Sequence, residues 1–240
     1  MKTLKTILLL NIFVFCGVLV SAQSADEIIS KYVNAIGGKK KINKIETLYT
    51  ESEADIMGMA SVQKTTVLNG KGYKMEMEIN GEVIITCVDE NGGWSINPMA
   101  GMSTAEDMPE AQYDQTRAQI FVGGPFTVLG DIGYQAEALG NETVGNVNAA
   151  KVKISTPGGT SVVHFFDSAT GYLIQSVQES EAQGQMVETV MSYSDYKEVD
   201  GITLAHTIDI DVSGGMFLMT MKITKVEVNK TVDPAIFIKP

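Results

Sequence analysis

Two spacings of apolar residues divide the chain. Between Ser24 and Gly38, Ile28, Tyr32 and Ile36 recur at intervals of four, with Ile29 and Val33 beside them, which predicts an amphipathic helix. Ser24 and Glu27 have the spacing of a capping box, and Gly37-Gly38 ends the pattern. From about Ile45 the period falls to two. Tyr73, Met75, Met77 and Ile79 alternate with Lys74, Glu76 and Glu78, and Asn80-Gly81 then supplies a hairpin turn. A two-residue turn there sets Met77 opposite Ile84 and Glu78 opposite Val83. The returning strand, Val83 to Val88, is apolar on both faces, which predicts that its outer side is covered too. Asn91-Gly92-Gly93 turns the chain once more into Trp94-Ser95-Ile96-Asn97-Pro98.

A second helix is predicted from Ala105 to about Ile120, capped by Thr104 and with Glu106 and Asp107 in its first turn. Its apolar face is thin (Met108, Ala111, Ile120), so it reads as a lid or connector, and Gly123-Gly124-Pro125 breaks it. The second half predicts strands over residues 150–155, 160–166, 172–179, 186–193, 202–212 and 216–228. Turn residues separate them: Pro157-Gly158-Gly159, Asp167 to Gly171, Gln183-Gly184-Gln185, Asp200-Gly201 and Ser213-Gly214-Gly215. Ile202, Leu204, His206, Ile208, Ile210 and Val212 give the cleanest alternation in the chain. Short turns between successive strands predict an antiparallel meander, mainly β with two helices (α+β).

The first residues follow neither spacing. Lys2 and Lys5 precede an apolar run of about 14 residues, Ile7 to Val20, shorter than the ~20 that span a bilayer. Val20-Ser21-Ala22 then places small residues where a signal peptidase cuts. Residues 1–22 are expected to be a signal peptide and 23–240 a single domain, periplasmic and soluble after cleavage. Val14 and Phe15 are too bulky for lipidation at Cys16. Cleavage leaves Cys87 as the only cysteine, in an apolar strand where it acts as a small hydrophobe. It also leaves a net charge of about −13, which argues against nucleic acid and anionic membrane surfaces.

Candidate chemistry is sparse. His164 and His206 lie within predicted strands with no acidic or cysteine partner at ligand spacing, and read as structural. No serine has a nucleophile-elbow context, and no phosphate loop or zinc-binding pair is present, so no catalytic residue, metal or cofactor is expected. Asp209 and Asp211 alternate on one strand face and read as solvated surface. Methionine is the unusual feature. Met75 and Met77 share one strand face, as do Met219 and Met221, while Met57, Met59, Met99 and Met102 lie near turns. Flexible thioethers fill irregular cores and also adapt to irregular apolar ligands. A long meander with two helices must cover two apolar faces, and a sheet curved around a lid or a lipid does so.

Several stretches together resemble the outer-membrane lipoprotein-sorting (LolA-like) proteins, in the form common among the Bacteroidota. They are Ala25-Asp26-Glu27-Ile28-Ile29 through Ile36-Gly37-Gly38, and Asn91-Gly92-Gly93-Trp94-Ser95-Ile96-Asn97-Pro98. Phe166-Asp167 to Thr170-Gly171-Tyr172-Leu173, Tyr193-Ser194-Asp195-Tyr196 through Gly201-Ile202, and the closing Asp233-Pro234-Ala235-Ile236-Phe237 to Pro240 complete the set. The resemblance implies an incomplete antiparallel β-barrel around a hydrophobic cavity, with helices as a lid. It implies a carrier of acyl chains, with Met75, Met77, Trp94, Phe166, Leu173, Met219 and Met221 as cavity residues. The lipoprotein carriers are similar in having a functional arginine on an early strand. Here the only arginine is Arg117, on the predicted lid helix, and Ala205 stands where relatives often show proline. What carries over is binding of a lipid, an acylated lipoprotein or another hydrophobic ligand, by a monomer and without catalysis. The alternatives are an envelope sensor or protein-interaction module on the same fold, and a hydrolase built around His164 or His206.

Overall fold

The computed structural model describes residues 23–240 apart from Met57 and Gln183; the predicted signal peptide lies outside the described residues. The helical spacing gives α1 (Ala25–Ala35), whose capping box is formed: Glu27 N donates to Ser24 Oγ at 3.2 Å and Ser24 N to Glu27 Oε2 at 3.0 Å. One further turn, α2 (Lys39–Ile42), follows the glycine pair. Gly37 has φ +124°, and a Cβ there would stand 2.7 Å from the Gly201 carbonyl oxygen, so the end of α1 can seat against the sheet only as glycine.

The alternating segments give β1 (Thr47–Ile56), β2 (Met59–Leu68), β3 (Gly72–Ile79), β4 (Glu82–Asp89), β5 (Gly93–Asn97) and β6 (Met102–Asp107). After a crossing segment come β7 (Gln135–Val144), β8 (Val147–Ser155), β9 (Ser161–Asp167) and β10 (Leu173–Ala182). The last three are β11 (Gln185–Val199), β12 (Ile202–Val212) and β13 (Phe217–Val228). Among the described residues they form one sheet in the order β6-β5-β4-β3-β2-β1-β13-β12-β11-β10-β9-β8-β7. All neighbours are antiparallel, and the first and last strands meet in the middle. β6 and β7 are unpaired edges, so the curved sheet is an incomplete barrel, as expected. The edges are protected: β6 ends in Glu106-Asp107, and the register of β7 shifts between Ala138 and Asn141.

Residues 108–134 run from one edge of the sheet to the other and carry α3 (Glu110–Thr116) with 3-10 turns at Arg117–Ile120 and Gly124–Thr127. The predicted helix over Ala105–Ile120 is thereby corrected. Glu106 and Asp107 pair with Ser95 and Trp94 as strand, and the helix begins only after Pro109. Proline disfavours the helical region at the residue before it, here Met108, so strand and helix separate at that point.

The main core lies between α1, the crossing segment and the inner face of the sheet. Ile28, Ile29, Val33 and Ile36 meet Ala118 and Val122 above Ala150, Val152, Ile154, Phe166, Leu173 and Ile202. At roughly 1.5–3 kcal/mol per fully buried aliphatic side chain, this packing rather than helix propensity holds α1 in place. Asn69 ties the parts together: its Nδ2 donates to the Ile45 carbonyl at 2.8 Å and its Oδ1 accepts from Val122 N at 3.0 Å. Arg117 anchors the crossing segment by donating to the Ile132 carbonyl, with its guanidinium 5.7 Å from the centre of the Tyr134 ring.

A second cluster covers the outer face. The expected pairing of Met77 with Ile84 and Glu78 with Val83 is present, and β4 is buried on both faces at Cys87 and Val88, while its start, Glu82-Val83, is exposed. Val88 packs inward on Met108 and Ile120, whereas Cys87 packs outward with Trp94 and Phe237. The Pro234–Phe237 turn folds back so that the Phe237 carbonyl accepts from Trp94 Nε1 at 3.0 Å. The Phe237 ring lies over Gly72, where a Cβ would stand 2.8 Å from ring carbons.

Candidate hydrophobic ligand site

Strand register fixes which side chains look inward. Val88 and Val67 face the crossing segment and α1, and their partner on β3 is Tyr73. Met75, Met77 and Ile79 therefore share that inner face. Across the centre of the sheet, Ala54 pairs with Met221 and Met221 with Ile208. The next row runs from Met219 through Ile210, Met191, Ser176 and His164 to Val152. β13 shows the contrast most clearly. Phe217, Met219, Met221 and Ile223 are half-buried on the inner face, while Leu218, Thr220, Lys222 and Thr224 are exposed on the other. Level with Met75, Met77 and Met221, the inner residues of β1 and β2 are small or polar (Thr50, Ser52, Ala54, Ser61, Gln63 and Thr65), and Ile56 and Met59 follow on the same face toward the hairpin. The result is a trough with a low floor and methionine sides, beyond the part of the inner face that α1 and the crossing segment fill.

At the covered end the trough deepens into two cavities. The first, about 220 Å³, lies under Tyr32, Ile36 and Ile42 and above Leu48, Thr50, Ile208 and Ile223. Ile223, Ile208 and Thr50 are the next inner residues to Met221, Ile210 and Ser52, so cavity and trough share one surface. The second, about 330 Å³, lies on the far side of Tyr32 between the crossing segment and β8–β11, and Met191 and Tyr193 form part of its wall.

Burial sets the electrostatics. Desolvation, with Tyr193 as a lesser cause, raises the Tyr32 phenol well above its ordinary value, and burial pushes Tyr73 up to about 12. His164 is held neutral because desolvation lowers its pKa to about 3; its Nδ1 lies 2.8 Å from Ser176 Oγ, and its ring packs edge-on to Phe126 at 5.0 Å. Its chemistry is that of a core histidine. His206 Nδ1 contacts the Leu204 carbonyl at 3.0 Å. Cys87 is fully buried and desolvation pushes its thiol up to about 12, which removes thiolate chemistry. Among the described residues no group of three or more His, Cys, Asp or Glu is placed to hold a metal ion.

The seven residues expected in the cavity fall into three places. Met75, Met77, Met219 and Met221 line the trough outside the two cavities. Phe166 and Leu173 face inward but lie in the packed core, 1% and 5% exposed, and Leu173 also borders both cavities. Trp94 requires correction: it lies on the outer face against Cys87 and Phe237, because its register partner Cys87 points away from the trough. Tyr32, Tyr193, Met191, Ile208 and Ile223 were missed as lining residues. The regular alternation of β12 could have found Ile208. Tyr32 could be found only by knowing which strands lie under α1.

The architecture is an open antiparallel sheet curved around a helix and a crossing segment. Three solved structures share it over nearly the full length. A LolA superfamily protein from Nitrosomonas europaea superposes with a TM-score of 0.62 and 11% identity, covering 91% of this chain and 99% of that one. A DUF1329 family protein from Desulfovibrio piger gives 0.58 at 10% identity, covering 89% and 97%. A predicted outer membrane lipoprotein-sorting protein domain from Vibrio parahaemolyticus gives 0.57 at 10% identity, covering 87% and 97%. At such identities the likeness is one of fold. No protein-family model matches the chain, and no curated protein sequence matches it.

Proposed function

We propose that the protein is an exported, periplasmic carrier or chaperone. As a monomer it holds acyl chains or another hydrophobic ligand in the inner trough, in lipid or lipoprotein trafficking, without catalysing a reaction. Residues 1–22 serve as its export signal. The observation that carries this reading is the inner face of β13 and β12: Phe217, Met219, Met221 and Ile210 form an apolar strip that no other described element covers, running on into the cavity under Tyr32. A sheet face of this kind is left open at a cost unless something apolar occupies it. Relatives in fold are LolA superfamily and lipoprotein-sorting structures, which supports the same reading.

The test is native mass spectrometry of the protein purified from its own periplasm, with organic extraction of whatever accompanies it. A bound lipid or lipopeptide is expected. A bare polypeptide mass that takes up neither added lipid nor a hydrophobic dye would refute the carrier reading.

One observation favours a second reading, an interaction module. Met59, Val83, Met186, Met216 and Leu218 are exposed at or beside four hairpins that neighbour one another along the open end of the sheet. In the hairpin segments 53–62, 76–85, 179–190 and 209–221 there are carboxylates and no lysine or arginine. An apolar rim with acidic flanks suits a protein partner of opposite charge. Capture of one specific envelope protein by lipid-free material would favour this reading.

A further inference from the structure

The four trough methionines repeat one arrangement. Met75-Glu76-Met77 on β3 and Met219-Thr220-Met221 on β13 each put two thioethers on the inner face, with the residue between them turned to the other side. Alternate residues on a strand stand about 6.6 Å apart along the chain, and each sulfur sits at the far side of freely turning bonds. The two sulfurs of a pair can therefore close on a single atom from opposite sides. None of the four side chains belongs to the core clusters or packs against them, so these sulfurs are not engaged in filling the interior. Met108, by contrast, is 8% exposed and packs with Val88 and Ile120. Met191 is engaged too: its sulfur accepts from the Tyr193 hydroxyl at 3.8 Å.

The strand partners of these residues offer no competing hard donor. Those of the β3 pair are Thr65 and Gln63 on β2 and Thr86 and Ile84 on β4. Those of the β13 pair are Ile210 and Ile208 on β12, with Ala54 beside Met221 on β1. No carboxylate, imidazole or thiol is among them. Cys87, the one thiol of the described residues, is buried on the outer face with Trp94 and Phe237. Thioethers with amide and hydroxyl neighbours hold magnesium, calcium and zinc poorly and soft monovalent ions well. Charge that draws a cation from solution lies at the same end of the sheet. The hairpin segments 76–85 and 209–221 carry Glu76, Glu78, Glu82, Asp209 and Asp211 and no lysine or arginine.

We propose that each pair is a binding site for a soft monovalent metal ion, copper(I), held between two thioether sulfurs: Met75 with Met77, and Met219 with Met221. The inference goes beyond the carrier reading and does not rest on it. A thioether carries neither charge nor proton, so the ion is held by sulfur lone pairs alone and its binding releases no proton, unlike binding at cysteine or histidine. The ion keeps its single positive charge. All four side chains are half-buried, so the open side of the trough lets water or another neutral donor complete the coordination, which a sealed core would not.

The experiment titrates silver nitrate, in chloride-free buffer, into protein that carries methyl-labelled methionine and has been passed over a hydrophobic resin to empty the trough. Silver(I) stands in for copper(I) because it has the same charge and the same preference for sulfur, and keeps its oxidation state in air. Proton–carbon spectra follow each methionine methyl group. Those of Met75, Met77, Met219 and Met221 are expected to move first and to saturate at two equivalents, ahead of the exposed Met99, Met186 and Met216, whereas zinc sulfate moves none of the four. Met75→Leu with Met77→Leu should remove one site and Met219→Leu with Met221→Leu the other; all four changes together should weaken silver(I) at least tenfold. Leucine keeps the apolar volume, so an unchanged near-ultraviolet spectrum and urea midpoint separate loss of the sulfurs from loss of the fold. Copper(I), supplied without oxygen as its acetonitrile complex, should move the same four methyl groups. Shifts that favour Met99, Met186 and Met216 would mean adventitious surface association only and overturn the proposal. So would a fourfold variant that binds silver(I) as tightly as the parent, equal shifts with zinc, or no response to copper(I). None of these outcomes touches the carrier reading, which the mass of the native protein decides.

Discussion

Leu218 and Met219 are chain neighbours that the sheet sends to opposite faces, and replacing each by asparagine separates binding from stability. Leu218 is 63% exposed on the outer face, so Leu218→Asn is expected to change stability by no more than about 0.5 kcal/mol and to leave ligand affinity alone. Met219 faces the trough, paired with Ile210 on β12 and next to Met221 on the same face. Met219→Asn removes about two methylene equivalents of apolar contact, at about 0.8 kcal/mol each. It also sets an amide against an acyl chain without a hydrogen-bond partner, which costs about 1–3 kcal/mol. Together these weaken binding by about 3–4 kcal/mol, a factor of roughly a hundred to a thousand. The assay is equilibrium displacement of a fluorescent fatty acyl probe, alongside urea unfolding of both variants. Equal affinity for the two variants, or loss at Leu218 rather than Met219, would show that the inner face has been assigned one residue out of step.

The remaining predictions test the frame around the trough. Ser24→Ala breaks the α1 capping box and is expected to cost about 1 kcal/mol, lowering Tm by about 2–4 °C in a scanning calorimeter. Gly72→Ala drives a methyl into the Phe237 ring, so the C-terminal turn should lift off Trp94. Indole fluorescence should then shift to the red, and unfolding should become easier by about 1–3 kcal/mol. His164 is neutral when folded, with a pKa lowered to about 3 by desolvation, whereas the unfolded chain takes up a proton near 6.5. The unfolded state therefore binds more protons between those values, and stability falls as pH drops through that window by up to about 1.4 kcal/mol per unit. His164→Gln should flatten the curve of urea midpoint against pH below 6.5; an unchanged slope would argue that His164 is not neutral in the folded protein. Cys87 should resist a maleimide reagent until the protein unfolds.

The strands of the second half were legible because each carries its own alternation and ends in glycine, asparagine or aspartate. The cap of α1 was equally local and read correctly, and the expected cover on both faces of β4 holds at Cys87-Val88 but not at Val83. What failed depended on distant partners. β7 went unread because Gln135 to Val144 is an edge strand with a polar exposed face and Gly140 in its middle, so its pattern carries no apolar period. Trp94 enters the cavity set only through the family resemblance, which carries no information on which face of β5 it occupies. Its true neighbour, Phe237, is 143 residues away in sequence. The trough itself was half-visible as paired methionines. The sequence could not say that β1 would set a floor of serine and alanine between them, because β1 meets β13 only through the closing of the whole chain.

That meeting has a consequence for how the molecule comes into being. Each wing of the sheet is a run of neighbouring hairpins with low contact order, able to form as the polypeptide is delivered. The seam is different: Leu48 pairs with Val228, about 180 residues later, and the closure entropy of so long a loop must be met before any reward arrives. A chain emerging amino end first therefore holds β1 with one edge unsatisfied until the last strand is through. Completion of the sheet therefore waits on the arrival of β13, and a chain stopped short of Phe217 would present β1 and β12 as two raw edges to the quality-control machinery around it.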